Sequence, residues 1–281
     1  MIIGIIGAGF CGNATKLFKC SEIDIMIYDI IPTKCIPENV SLKDLTICDI
    51  VFICINTPLT NDNKYYTNDI ENIITEFKSY NYNNIILRST ITPEFCNKYN
   101  ITFMPEFLTE NNWENDFYNC NKWIIGLNNE DYNSENNYMK YITTKLINTA
   151  HKYDCIKYNK ILYTSTNAAE LCKLVRNSFL ATKVSFFNEI YNICKFLNID
   201  YNNEMRDLII SDNRIGDSHT NVPNNNKYGY GGSCFPKDLN ALSTFCENNS
   251  IHNIILSAVN YRNETYDRPE KEWRKDPRSF K

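Results

Sequence analysis

From Ile2 to about Asn159 short apolar runs alternate with polar stretches that carry apolar residues at helical spacing. Ile2–Ile6, Ile25–Tyr28, Ile50–Ile55, Ile85–Leu87, Ile101–Met104 and Trp123–Ile125 are rich in Ile, Val and aromatics. They are short and almost uninterrupted by polar residues, as expected of strands buried on both faces. Asn68–Tyr80 and Asp131–Ile147 between them read as helices. A βαβα rhythm of this kind predicts a doubly wound, Rossmann-like parallel sheet covered by helices. Beyond it, Thr166–Leu197 reads as one long helix with no internal proline and a stop at Asn198 and Asp200. Its apolar residues Ala168, Leu171, Cys172, Val175, Phe179, Thr182, Phe186, Ile190, Ile193 and Leu197 form a stripe at three- and four-residue intervals that is expected to be buried. The fold class is therefore α/β, with an N-terminal nucleotide-binding sheet over residues 1–160 and a helical central domain over 161–263. Residues 264–281 read as a charged tail, disordered or added, from which no domain is built.

Composition narrows this picture. A hydrophobic fraction of 43% with 22% charged residues is that of a globular chain, and a net charge of −4 without a basic stripe argues against nucleic acid as the main partner. The apolar opening Met1–Ile6 lacks a basic flank and runs into glycines, so it is not a signal peptide, and no apolar run approaches bilayer length. The twelve cysteines are scattered, and none shows the C-x-x-C spacing of a zinc site. They suit a cytosolic protein with reduced thiols and no structural metal.

The candidate chemistry lies at two glycine-rich places. Gly7, Gly9 and Gly12 in Gly7-Ala8-Gly9-Phe10-Cys11-Gly12 form a G-x-G-x-x-G between the first strand and a helix. There the first glycine permits the tight turn, the second lets pyrophosphate approach, and the third lets helix and strand pack. Asp29 ends the second strand, where a carboxylate binds ribose hydroxyls and repels a 2′-phosphate, so the cofactor expected is NAD. Thr57-Pro58 and Arg88-Ser89-Thr90 follow the third and fourth strands, at the sheet edge where ligands bind. The second place is Gly229-Tyr230-Gly231-Gly232-Ser233-Cys234-Phe235-Pro236-Lys237-Asp238, whose glycines let backbone approach a ligand beside a cysteine, a lysine and an aspartate. Lys173 and Asn177, spaced i, i+4, share one face of the long helix.

The ten-residue run GYGGSCFPKD resembles the signature of the UDP-glucose/GDP-mannose dehydrogenase family, the nucleotide-sugar dehydrogenases that include the UDP-glucose 6-dehydrogenases. In matching order stand Gly7–Gly12, Asp29 with Lys34, Asn56-Thr57-Pro58, Arg88-Ser89-Thr90, Pro105-Glu106-Phe107-Leu108-Thr109-Glu110, Ala169-Glu170-Leu171-Cys172-Lys173 with Asn177, and Asn213-Arg214-Ile215-Gly216. The resemblance runs from residue 2 to about residue 263. It implies oxidation of a sugar's primary alcohol to a carboxylate by two hydride transfers to NAD, giving UDP-glucuronate where the substrate is UDP-glucose. Cys234 would form a thiohemiacetal and then a thioester. Lys173 and Asn177 would stabilise the developing oxyanion, a role worth roughly 3 kcal/mol per donor. Asp238, Glu110 and Thr90 would hold and activate the hydrolytic water. Gly7, Gly9, Phe10, Cys11, Gly12, Asp29, Lys34, Thr57 and Thr90 would meet NAD. Glu106, Phe107, Leu108, Lys173, Asn177, Arg214, Tyr228 and Gly231 would meet the sugar nucleotide, Arg214 from the neighbouring subunit of a homodimer. Two departures stand out: the Asn-rich stretch Asp217–Lys227, and the expected lack of the family's third, Rossmann-like domain that helps hold UDP. GDP-mannose or UDP-N-acetylmannosamine as substrate, and an NAD-binding dimer with little turnover, are the alternatives.

Overall fold

The structure, a computed structural model, describes residues 1–128, 132, 137–224 and 226–281. The first residues of the helix expected over Asp131–Ile147, and Asn225 within Asp217–Lys227, lie outside the described residues. The chain forms two compact units, one of residues 1–57 and 67–173, the other of residues 58–66 and 174–281.

The first unit is a seven-stranded sheet with strands β1 (Ile2–Ile6), β2 (Asp24–Tyr28), β3 (Ile50–Ile53), β4 (Ile85–Leu87), β5 (Thr102–Phe103), β6 (Trp123–Leu127) and β7 (Ile161–Ser165). Their order is β2-β1-β3-β4-β5-β6-β7. The chain crosses from one side of β1 to the other between β2 and β3, the reversal that opens a crevice at the carboxyl ends of the strands. Six of the seven strands stand where the apolar runs place them. β6 pairs antiparallel with β5 at Phe103 and Gly126, so the sheet is mostly, not wholly, parallel. β7, which pairs parallel with β6, extends the sheet past the boundary expected at residue 160. Among the described residues β7 is paired on the side facing β6 alone, so it keeps part of its surface in water and its composition lacks the continuous apolar run of a central strand.

Helices α1 (Phe10–Lys16), α2 (Asn68–Ser79), α3 (Phe95–Tyr99), α4 (Trp113–Tyr118) and α5 (Tyr138–Lys152) cover this sheet. On α2, Ile70, Ile74 and Phe77 recur at one face and are buried, as the spacing predicts. Below α1 and α4 the rings of Phe18, Phe52, Phe117 and Trp123 pack at centroid separations of 4.8 to 6.4 Å, the range of favourable edge-on and offset contacts.

Helix α6 (Thr166–Phe196) runs 31 residues, as predicted, and its residues from Leu174 onward belong to the second unit. The stripe expected to be buried is not. Leu171, Val175, Phe179, Phe186, Ile193 and Leu197 are exposed, Phe179 by 65% and Phe186 by 57%. The buried side of α6 is instead Thr166, Ala169, Glu170, Lys173, Leu174, Asn177, Ser178, Ala181, Val184, Ser185, Phe187, Asn188 and Cys194. Apolar periodicity marks a face that seeks cover but does not say which molecule covers it, and half of this inner face is polar. Its polar members have work to do: Asn188 Oδ1 accepts the Gly229 amide at 3.1 Å, and Glu170 accepts the amides of Glu94 (3.0 Å) and Cys96 (2.8 Å), binding the first turn of α3.

The second unit adds α7 (Arg206–Ile210), α8 (Phe235–Asn248) and α9 (Ile254–Arg262). Its core is two small groups, one of Ala181, Val184, Tyr230, Leu239 and Val259, the other of Phe187, Cys194, Tyr201 and Val222. Among the described residues no helix is long and apolar enough to cross a membrane.

The charged tail departs most from expectation. Residues 264–281 pack into this unit, with Trp273 only 2% exposed and Ser279 fully buried. Its charges pair within the tail, Arg268 with Glu272, Lys271 and Arg274 with Glu264, and Arg278 with Asp276, so a run that reads as solvated is largely self-satisfied. Its end pairs with the segment 58–66, the Leu59 amide donating to Ser279 (2.7 Å) and the Lys281 amide to Leu59 (2.8 Å). Trp273→Ala should therefore lower the free energy of unfolding by about 3–5 kcal/mol, as for a buried aromatic in a core. Urea denaturation measures it, and a loss under ~1 kcal/mol would show that the tail is not part of the folded unit.

Candidate active site

In the first unit the G-x-G-x-x-G sits at the end of β1. Gly7 has φ +95°, which L side chains rarely adopt, and a Cβ on Gly12 would stand 1.8 Å from the Gly7 carbonyl oxygen. Around Gly9 no atom lies within 4 Å of where a Cβ would be. Two glycines thus close the turn and the third leaves an open backbone surface, the cradle a pyrophosphate needs. Asp29 Oδ2 accepts the Ala8 amide at 2.7 Å and Oδ1 the Ile31 amide at 2.9 Å. Each oxygen keeps a second lone pair for a ribose hydroxyl, so the residues present fit a dinucleotide.

The other expected cofactor residues are placed less uniformly. Phe10 and Cys11 open α1, Phe10 edge-on to Trp113 at 6.4 Å, while the Cys11 thiol is drawn below its usual range, first by its hydrogen bond with Cys54. Lys34 is exposed in a 3-10 turn, Pro32–Lys34. Thr57 is buried, and its hydroxyl donates to the Thr90 carbonyl at 2.7 Å, tying the loop after β3 to the loop after β4. Arg88 at the end of β4 is buried with Nε and Nη1 unpartnered among the described residues, a cation with hydrogen bonds left to give.

Lys173, also in this unit, is buried, and its Nζ donates to the Glu106 carbonyl (2.6 Å) and to Glu106 Oε1 (2.7 Å). Burial pushes the Glu106 carboxyl up, but the adjoining ammonium and the Leu108 amide on Oε2 at 2.9 Å outweigh it and hold the group below the usual range. The Lys173 ammonium also stands 5.6 Å from the Phe107 ring centroid. Glu106, Phe107, Leu108 and Lys173 are therefore one assembly. Thr90 is half-buried, and Glu110 is exposed in the turn before α4.

In the second unit Cys234 is exposed and caps α8, with Pro236 in the first turn and the Asp238 amide closing the first helical bond on the Cys234 carbonyl at 2.9 Å. Helix N-termini favour negative charge, which suits a nucleophilic sulfur. Asp238, one turn on, is fully buried. Its Oδ2 accepts the Asn177 amide at 2.6 Å, and its Oδ1 accepts Lys237 Nζ and Tyr65 Oη, each at 2.7 Å. The geometry thus joins Asn177 to Asp238, which lie 61 residues apart. Tyr65 escapes sequence reasoning, because a tyrosine in a polar loop carries no periodic signal.

The glycines of this loop correct one expectation. A Cβ on Gly229 would stand 2.3 Å from Asn263 Oδ1, and one on Gly231 would stand 2.5 to 2.8 Å from the Arg268 guanidinium. Arg268 is buried and paired with Glu272, so it has little freedom to yield. Both glycines make room for the chain's own residues; only at Gly232, φ +75°, does the surrounding space stay open. Tyr228 is exposed beside Tyr191, with ring centroids 5.6 Å apart, and Arg214 is exposed and forked onto Asp212 at 2.6 to 3.1 Å. Among the described residues no group of His, Cys, Asp and Glu could hold a metal ion.

Two family models and the curated relatives point to one family. Residues 38–146 match the NAD-binding domain of the UDP-glucose/GDP-mannose dehydrogenase family, and residues 167–265 match its central domain. A UDP-glucose 6-dehydrogenase of Rickettsia bellii is 36% identical over 186 residues, 62% of this chain and 39% of its own length. YtcA of Bacillus subtilis is 30% identical over 234 residues, 78% of this chain and 51% of its own. The chain thus spans about half, or less, of these curated relatives. Among solved structures, a UDP-glucose dehydrogenase of Pyrobaculum islandicum has a TM-score of 0.78 at 22% identity, covering 94% of this chain and 68% of its own. A UDP-D-ManNAc dehydrogenase of Pyrococcus horikoshii has a TM-score of 0.72 at 21% identity, with the same coverage. With two of its domains matched, in order and over most of the sequence, the chain belongs to the UDP-glucose/GDP-mannose dehydrogenase family.

Proposed function

We propose that this protein oxidises the primary alcohol of a nucleotide sugar, UDP-glucose first among them, to the carboxylate through a covalent intermediate on Cys234. The observation that carries this reading is the buried Asp238 carboxylate, bonded to Asn177 one helical turn after an exposed cysteine at a helix N-terminus. Bound NAD supplies an acceptor for a hydride in each of the two oxidations. The residues of the chain do the rest. After the first oxidation the Cys234 thiolate adds to the aldehyde carbon, forming a C–S bond and an alkoxide. The Lys173 ammonium, held by Glu106, and the Asn177 amide stabilise that oxygen. Loss of the second hydride leaves a thioester. Water then attacks its carbonyl carbon while Asp238 takes a proton from the water, Glu110 and Thr90 helping to hold it. The C–S bond breaks, the sulfur leaves as thiolate, and the carboxylate is released.

Gly7, Gly9 and Gly12 hold the cofactor's phosphates with the amides of Phe10 and Cys11, and Asp29 takes its ribose, with Lys34, Thr57 and Thr90 at the rim. Glu106, Phe107, Leu108, Tyr228 and Gly231 line the substrate site in this reading, Gly231 through its backbone. The exposed row from Leu171 to Leu197 is covered by a second copy, which brings Arg214 to its neighbour's nucleotide.

Two measurements test this. Cys234→Ala should abolish carboxylate production while leaving NAD affinity nearly unchanged, since the cofactor sits on residues of the other unit. Product analysis with UDP-glucose, GDP-mannose and UDP-N-acetylmannosamine follows it and identifies the sugar; retained four-electron turnover would overturn the covalent mechanism. Sedimentation at micromolar concentration should show a dimer, and Phe179→Glu with Phe186→Glu should dissociate it. A stable monomer of the unaltered protein would remove both the dimer and the cross-subunit role of Arg214.

A further inference from the structure

Tyr65 has no part in the reaction above. It lies on the segment 58–66, is 7% exposed, and donates its hydroxyl to Asp238 Oδ1 across 173 residues of sequence. Lys237 donates to the same oxygen, and its ammonium stands 4.6 Å from the Tyr65 ring centroid. Asn177 donates to the other oxygen.

We propose that Tyr65 is a positioning residue for Asp238, fixing the direction of its carboxylate and keeping it ionised for the proton transfer from water. The inference rests on the reading of Asp238 as the group that activates water in thioester hydrolysis. A fully buried carboxyl without donors takes up a proton and is then no base. Lys237 supplies charge, but through a long side chain with many rotamers, whereas a phenol on two torsions is stiff. Burial first, and then the negative charge of Asp238, push ionisation of the Tyr65 hydroxyl well above its ordinary range, so it stays a donor.

Tyr65 also inherits a fixed backbone. The Tyr66 amide donates to the Pro58 carbonyl at 2.8 Å, Leu59 is fully buried, and the pairing of Leu59 with Ser279 and Lys281 ties the segment to the end of the tail. The Ser279 hydroxyl donates to the Ser233 carbonyl at 3.3 Å, next to Cys234. The tail therefore holds both the loop that carries the cysteine and the segment that carries the phenol.

Tyr65→Phe removes only the hydroxyl and keeps the ring beneath Lys237. Lys237 and Cys234 also face the Tyr65–Asp238 pair, and the substitution leaves both in place. Loss of a donor to the charged form raises the carboxyl's pKa. The acid limb of carboxylate release should thus move to higher pH, by about 1 on the pH scale, the size of one hydrogen bond to a charged group. At a fixed pH on that limb kcat should therefore fall by roughly tenfold, with KM for the nucleotide sugar unchanged. The same displacement should appear without substrate in the Asp238 carboxyl signal of aspartate-13C-labelled protein, assigned with Asp238→Asn. A merely structural phenol would leave both profiles where they are, and unchanged profiles overturn the proposal. If the unaltered protein oxidises no nucleotide sugar, the catalytic reading fails by itself, and the carboxyl titration still decides whether Tyr65 tunes Asp238.

Discussion

The second unit is organised around one buried anion. Asp238 has no contact with solvent, and a carboxylate taken out of water is tolerated only when donors replace the lost hydration. Those donors come from three separate stretches of chain: Tyr65 from the segment 58–66, Asn177 from α6, and Lys237 from the turn of α8 beside it. Satisfying that single group fixes where each stretch lies relative to the cysteine loop. The tail joins the same scheme, since its last residues pair with Leu59 and its Arg268 fills the space that Gly231 leaves open. Removing any one donor leaves a buried charge underpaired, a cost larger than that of an ordinary surface contact.

The first unit solves a different problem by different means. Its sheet is held by strands of Ile, Val and aromatics and by the ring group at Phe18, Phe52, Phe117 and Trp123. At the ends of its strands glycine takes a conformation closed to other residues at Gly7, and Asp29 braces the turn through the Ala8 amide. Lys173 closes this unit, oriented by Glu106 through its backbone carbonyl and its carboxylate together. Lys173 and Asn177 share a face of α6 by helical spacing.

The sheet was legible in the sequence because central parallel strands are apolar on both faces and leave an unmistakable mark at Ile50–Ile53 or Ile85–Leu87. Edge strand β7 has no such mark. The length of α6 was legible from the unbroken helical spacing, but which side faces inward was not: the inner face carries Glu170, Lys173, Asn177, Ser178 and Asn188, whose partners lie far away in sequence. Cys234 and Asp238 could be singled out because a cysteine, a lysine and an aspartate stand together in a glycine-rich loop, whereas Lys173 and Asn177 shared only a helix face and gained a role through the family resemblance. Tyr65 and the tail could not, since a loop tyrosine and a run of mixed charges look solvated until the fold supplies their partners. The same limit explains Gly229 and Gly231, where absent side chains make room for Asn263 and Arg268.

The proposed reaction requires a covalent intermediate on Cys234. Glu110→Gln should slow hydrolysis of the thioester without preventing its formation, so incubation with NAD and UDP-glucose followed by acid quench should leave the sugar nucleotide attached to one cysteine. Mass spectrometry of the digested protein reads the site directly. An adduct on the peptide bearing Cys234, dependent on both NAD and the nucleotide sugar, is the predicted result. An adduct on any other cysteine, or carboxylate release by a Cys234→Ala protein under the same conditions, would contradict it.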